Sequence, residues 1–316
     1  MISPQTQSTQ RKTHTVASID IGTNTILLLV AKIDQGQLKP LLEIETIVRL
    51  GEGLQKSGVL SEEVMKIGIR ALNQYVDHCR AFGVEEIFAV GTSALREAKN
   101  SGDFLRVVRE NFNLSIEIIS GEEEAHLSYL AVAEDLKGVD KPILVVDVGG
   151  GSTEIIRGKG EQINHWISLP MGSVRFTEQF LLSDPVQEGE WNDMVERIQA
   201  VLSRLPEIDE PVMLVAVGGT ATTLASVEQQ LERFVPERIH HFVLTRQALG
   251  NQLSLFKAKT LDERRRIPGL PPARADVILA GGAILYLAME KLKCPSALIS
   301  CHGIRYGLLY DRFSLG

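Results

Sequence analysis

A chain of 316 residues with 44% hydrophobic and 23% charged side chains has ordinary globular composition and enough apolar content for two cores. Its net charge of -7 excludes the dense basic surface that binds nucleic acid by displacing counterions. Three cysteines outside any Cys-x-x-Cys pattern, and a longest apolar run of only Ile26 to Ala31 against the roughly 20 residues of a membrane span, point to a soluble protein of the reducing cytoplasm, without structural zinc or a bilayer partner.

Residues 1–14 are polar, lack the apolar core of a signal peptide and read as a disordered tail. Val16 to Asp20 reads as a buried strand, Ile26 to Ile33 as its hairpin partner, and Pro40 to Arg49 as a third strand. Ser61 opens a helix with Glu62 and Glu63 in its first turn, Met65, Ile69, Leu72 and Val76 keep helical spacing, and Gly83 ends it. A strand at Ile87 to Val90, a helix at Thr92 to Ala98, a strand at Ile116 to Ile119 and a helix at Glu122 to Ala133 complete a first lobe, 15–138. Asp135 to Lys141 reads as the linker.

The order then restarts in a second lobe, 139–316, with strands at Ile143 to Val148, Thr153 to Arg157 and Ile163 to Ser168. A helix near Val186 to Leu205, a strand at Val212 to Val217 and a helix from about Thr222 follow. Gln229 to Ala273 departs from the first lobe and reads as an insertion. Arg274 to Leu292 reads as a long apolar helix containing Gly281-Gly282, and a strand at Ala297 to Ser300 leads to a last helix from Gly303. That helix packs either on its own lobe or back on the first. The fold class expected is α/β, with mixed five-stranded sheets, helical cover and a cleft between the lobes.

The restart is a duplication. Asp147, in Val145-Val146-Asp147-Val148-Gly149-Gly150-Gly151-Ser152, lies 127 positions after Asp20, in Ser18-Ile19-Asp20-Ile21-Gly22-Thr23-Asn24-Thr25. Gly218, in the run Ala216 to Ala225, lies 127 positions after Gly91, in the run Ala89 to Ala98. Glycine admits an anion close to the backbone, successive N–H groups point into the bend, and short hydroxyl or amide side chains add donors. Gly22, Thr23, Asn24 and Thr25 are therefore candidate phosphate ligands, as are Gly149, Gly150, Gly151, Ser152 and Thr153. Thr92, Ser93, Gly218, Gly219 and Thr220 extend the set. Asp20 and Asp147 suit a hard divalent cation, magnesium, rather than phosphate. Neither a P-loop nor a Gly-x-Gly-x-x-Gly after the first strand is present.

Arg264-Arg265-Arg266 with Arg274 either steers a polyanion or forms a solvated loop. His240-His241 lacks a spaced partner and reads as structural, and adjacent Cys301 and His302 point apart and read as packing. Ser120 and Glu123 form a capping box, which occupies Glu123 and leaves Glu124 free.

The paired turns resemble those of the actin, sugar-kinase and heat-shock ATPase superfamily, whose lobes are ribonuclease-H-like. Within it, "SIDIGTNTILLLVA", "GTSALREAKN", "SGEEEAHLSYLAV", "VVDVGGGSTEI", "LPMGSVRFTE", "AVGGTATTLA" and "RADVILAGGAI" together resemble the exopolyphosphatase/guanosine pentaphosphate phosphohydrolase family in its short, two-lobed form. The resemblance implies magnesium-assisted hydrolysis of a terminal phosphoanhydride. Glu124 matches the family's catalytic glutamate, Arg96 an arginine at the cleft, and Asp147 and Glu154 acids that support the metal, with Asp20, or the attacking water. The substrate it implies is inorganic polyphosphate, shortened processively, with pppGpp, hydrolysed to ppGpp, as the alternative. An ATP-dependent kinase and an actin-like filament protein share the superfamily and stand as rivals. A homodimer is expected on the frequency of symmetric dimers alone.

Overall fold

In the computed structural model, residues 13–207 and 211–315 are described. Most of the expected tail, residues 1–12, lies outside them, whereas His14 already opens the first strand. The first half runs β1 (His14–Ile21), β2 (Thr25–Asp34), β3 (Gln37–Ile47), α1 (Leu54–Ser57), α2 (Glu62–Ala81), β4 (Glu86–Gly91), α3 (Ser93–Glu97), α4 (Ser101–Phe112), β5 (Ile116–Ile118) and α5 (Gly121–Asp135). The second half runs β6 (Ile143–Val148), β7 (Thr153–Lys159), β8 (Gln162–Leu169), α6 (Ser173–Phe180), α7 (Glu188–Leu202), β9 (Met213–Val217) and α8 (Gly218–Glu228). It ends with α9 (Pro236–Ile239), β10 (Val243–Thr245), α10 (Arg246–Lys257), α11 (Leu261–Arg264), α12 (Ile278–Lys291), β11 (Ser296–Ile299) and α13 (Ile304–Phe313).

The first sheet has the order β3-β2-β1-β4-β5 and the second β10-β11-β9-β6-β7-β8. In each, an antiparallel hairpin is joined to parallel strands, β1 to β4 and β6 to β9. The two hairpins close alike, with Gly22 N–H donating to Thr25 O at 2.9 Å and Gly149 N–H to Ser152 O at 3.0 Å. Pro40, which cannot donate to a ladder, sits on edge strand β3 beside a register shift at Val30/Ala31. The second sheet has six strands rather than the expected five. The extra strand, β10, is a three-residue antiparallel edge inside the insertion, too short to show a period. Helix α4 was also not expected from the sequence; it buries Phe104 and Val108 in the first core. Ser61 caps α2 by accepting from Val64 N–H, and Gly83 follows it at φ 65.

The two halves exchange helices. Ala125, Tyr129 and Val132 of α5 pack on Ile143, Val145 and Ile156 of the second sheet, while Tyr306 and Leu309 of α13 pack on Val16, Leu29 and Ala31 of the first. The last helix thus lies against the first sheet, and it also packs along α5, where a Cβ on Gly307 would fall 1.9 Å from Leu127 O. Sandwiched between sheet and helix, α5 is apolar around most of its girth, and its charged first turn is left at the seam between the sheets.

Candidate active site

Both hairpin turns open on that seam. Gly22, Thr23, Asn24 and Thr25 line one wall of a cleft, Gly149, Gly150, Gly151 and Ser152 line the other, and Thr92 and Ser93 lie beside the first set. Gly218, Gly219 and Thr220 contribute the N-terminus of α8, whose amides have no earlier turn to bond to and suit an anion. Glycine is required here by approach: a Cβ on Gly151 would lie 2.4 Å from Ser93 Oγ, and one on Gly150 2.9 Å from Thr23 Cβ. Gly218 has φ +84, and its Cβ would lie 2.7 Å from Asp147 Oδ1.

Four carboxylates converge below these turns. Asp20 is the last but one residue of β1 and Asp147 of β6, at equivalent places in the two sheets, and Glu154 pairs with Asp147 across the second hairpin. Glu124 projects from the first turn of α5, where Ser120 and Glu123 form the anticipated capping box: Ser120 N–H donates to Glu123 Oε2 at 2.7 Å. Burial, with Glu124 and Asp147 close by, pushes Asp20 up to about 8. Burial also pushes Glu124 up to about 7, against the pull of Arg96 and with Asp147 adding to the rise. Burial raises Asp147, whose Oδ2 accepts from Ser128 Oγ at 2.8 Å. Glu154 stands well above the carboxylate range because it is buried near Glu124 and Asp147, and Ser168 Oγ donates to it at 2.7 Å. Such a group of acids is stable only with protons or a cation among them. Asp20 Oδ1, buried and without a hydrogen-bond partner among the described residues, marks where a divalent cation fits.

Arg96 reaches the cleft through Glu124: its Nη1 donates to Glu124 Oε2 at 3.1 Å and to Ile119 O at 2.7 Å. Thr153 does not line the cleft. It is fully buried and its hydroxyl donates to Met171 O at 2.7 Å, because on β7 its side chain alternates away from the opening. Glu154 is likewise behind the cleft wall, 1% exposed. Of the arginine run, Arg264 is buried and donates to Ala275 O, Arg265 pairs with Asp262, and only Arg274 lines the cleft, its Nη2 on Glu45 Oε1 at 2.8 Å.

Arg305 and Phe234 also line the cleft, and sequence reasoning missed both. The signal available for Arg305 was the duplication itself, since it opens α13 after β11 as Glu122 opens α5 after β5. Asp135, His240 and His302 bring ligating atoms within 4.8 Å of one another. His240 Nδ1 accepts the Cys301 N–H at 3.1 Å, so its proton sits on Nε2 and faces Asp135 Oδ1 at 3.1 Å. That tautomer suits a hydrogen-bonded ring; a metal-bound imidazole donates from its second nitrogen. Among the described residues no helix is long and apolar enough to cross a membrane.

The model of the Ppx/GppA phosphatase family matches residues 29–315. A bifunctional 3-dehydroquinate synthase/phosphatase of Fusobacterium nucleatum is 34% identical over 281 residues, 85% of this chain and 42% of that protein, so the chain spans less than half the length of that relative. Among solved structures, a Ppx/GppA family member of Aquifex aeolicus is 36% identical, with a TM-score of 0.80 over 95% of this chain and 98% of that one. An exopolyphosphatase from Cytophaga hutchinsonii is 25% identical, with a TM-score of 0.86 over 95% and 98%. With two mixed-sheet lobes, paired glycine turns and a buried acid cluster between them, the chain belongs to the Ppx/GppA phosphatase family.

Proposed function

We propose that this protein is an exopolyphosphatase, removing the terminal phosphate of inorganic polyphosphate with Glu124 as general base. The observation that carries the reading is the state of Glu124, an 8% exposed carboxylate on the cleft, raised to about 7 and held by Arg96. A base of that strength can accept a proton from water near neutral pH. Water adds to the terminal phosphorus, its proton passes to Glu124, and the bridging anhydride oxygen leaves with the shortened chain. Orthophosphate is released. The amides of Gly22 to Thr25 and of Gly149 to Gly151 hold the phosphate oxygens from opposite walls, those of Gly218 to Thr220 join the second set, and the positive charge of Arg96, bonded to Glu124, offsets the charge that builds there. Asp20 and Asp147, with the charge of Glu154 behind them, would hold magnesium, which when bound supplies the charge neutralisation that a polyanion entering this acidic cleft requires.

One observation favours pppGpp as a second substrate. Phe234, 55% exposed, lines the cleft together with Leu27, and such a surface serves a stacked base but nothing in an inorganic chain. Phosphate release measured side by side on graded polyphosphates, pppGpp and ATP in magnesium tests both readings. Polyphosphate turned over fastest is expected. Turnover of pppGpp alone would replace the first reading by the second, and turnover of neither would remove both.

A further inference from the structure

The arginines around the cleft differ in how many of their donors are engaged. Arg175 is filled: Nε donates to Gly151 O, Nη1 to Gln55, and Nη2 to both oxygens of Glu97 at 2.6 and 2.8 Å. Arg49 is similarly taken by Asp276 and Ala273 O. Arg305 is not. Its guanidinium lines the cleft and is 11% exposed, yet among the described residues its side chain makes one hydrogen bond, from Nη2 to Glu43 Oε2. Among the described residues Nε and Nη1 make no hydrogen bond, and the guanidinium lies over the Tyr306 ring, 5.7 Å from its centroid. A guanidinium grips two phosphate oxygens through Nε with Nη2 or through Nη1 with Nη2, so either grip needs the Nη2 that Glu43 now holds.

The surroundings hold this fork in place. Fully buried Ser18, on β1, donates its hydroxyl to Arg305 O at 2.6 Å, which ties the start of α13 to the strand that carries Asp20. Glu43 is oriented from its other oxygen by Tyr306 Oη, which donates at 2.9 Å. The Tyr306 ring in turn stacks on His302, with centroids 3.9 Å apart. Glu43 is 30% exposed, so water or an arriving anion can compete for the guanidinium it holds. Arg305 lies close enough to Asp20 for its positive charge to oppose the burial that raises that carboxyl, which places it near the reacting end of the cleft.

We infer that Arg305 is a further phosphate-binding residue of this cleft, and that Glu43 occupies its fork until substrate phosphate displaces it. The inference rests on the reading of the cleft as a polyphosphate site. It makes Glu43, which binds Arg305 from outside the cleft lining, an internal competitor for the donor that a phosphate oxygen would take, and Tyr306 the positioning residue that keeps it there.

The test is calorimetric binding of tripolyphosphate in magnesium buffer to the Glu124→Gln protein, which separates binding from turnover. Adding Arg305→Ala is expected to weaken binding at least tenfold, and adding Glu43→Gln to tighten it severalfold. Thermal unfolding of each protein checks the fold, and Glu43→Gln, which keeps the size of the side chain that meets Arg305 and Tyr306, carries the test should Arg305→Ala unfold. Unchanged affinity in Arg305→Ala would overturn the inference, as would weakening by Glu43→Gln to the level of Arg305→Ala. A parent protein that binds no tripolyphosphate at all would overturn the polyphosphate reading and this inference together.

Discussion

Replacing Glu124 by glutamine gives the site two opposite signatures in one variant. Glutamine has nearly the shape of the protonated acid and keeps it neutral at every pH, so the variant loses the base while removing a buried charge. The wild-type acid rises from its ordinary 4.5 to about 7 in the fold. A raised acid contributes stability that is fully present below pH 4.5 and is lost as pH climbs through about 7. At pH 8 and without metal, the ionised form therefore costs roughly 3 kcal/mol. For a chain of 316 residues that corresponds to a gain in Tm of about 5 °C in Glu124→Gln. At pH 5 the gain should shrink below about 1 kcal/mol, because the wild-type acid is then mostly protonated in the fold. In magnesium, kcat for phosphate release should fall about 10²- to 10⁴-fold, the usual contribution of a general base. Thermal unfolding in chelator at the two pH values, with phosphate release at pH 8, measures both. Wild-type turnover in the variant, or an equal Tm gain at pH 5 and pH 8, would refute the reasoning.

Arg96→Gln should lower kcat about 10²-fold and move the acid limb of the pH–rate profile upward, because the cation that opposes the rise of Glu124 is gone; a profile left in place speaks against the pairing. Magnesium added to chelated protein should raise Tm, and Asp20→Asn should both raise the metal-free Tm at pH 8 and remove most of the magnesium response. Gly151→Ala, whose Cβ would lie 2.4 Å from Ser93 Oγ across the cleft, should cut turnover more than tenfold through misplaced walls while secondary structure by circular dichroism is retained. Gly307→Ala directs its Cβ at a backbone carbonyl, Leu127 O, and should cost about 2–3 kcal/mol in denaturant unfolding; an unchanged midpoint would mean that α5 and α13 do not pack as described.

Much of this molecule is written locally. The Asp-x-Gly turns after Ile19 and Val146, the 127-residue repeat, the Ser120 capping box and the alternation of strands and helices all depend on residues within a turn or two of one another. Turn chemistry, capping and hydrophobic period are therefore readable without a fold, and they placed Glu124 as the free acid of its turn. Other features depend on residues far apart in the chain. Thr153 belongs to the same glycine-rich motif as Ser152, but the pleat turns its hydroxyl to Met171 O instead of the cleft. The exchange of α5 and α13 between sheets, the shift of Asp20 to about 8, and the approach of Arg305 to Glu43 across 262 positions follow from burial and charge proximity that only chain packing creates. By itself the sequence determined the repeated elements and the residue types at each turn. Which acids share one desolvated space, and which arginines keep donors open to it, was decided by tertiary structure, because desolvation and Coulomb energy depend on distance in space and not along the chain.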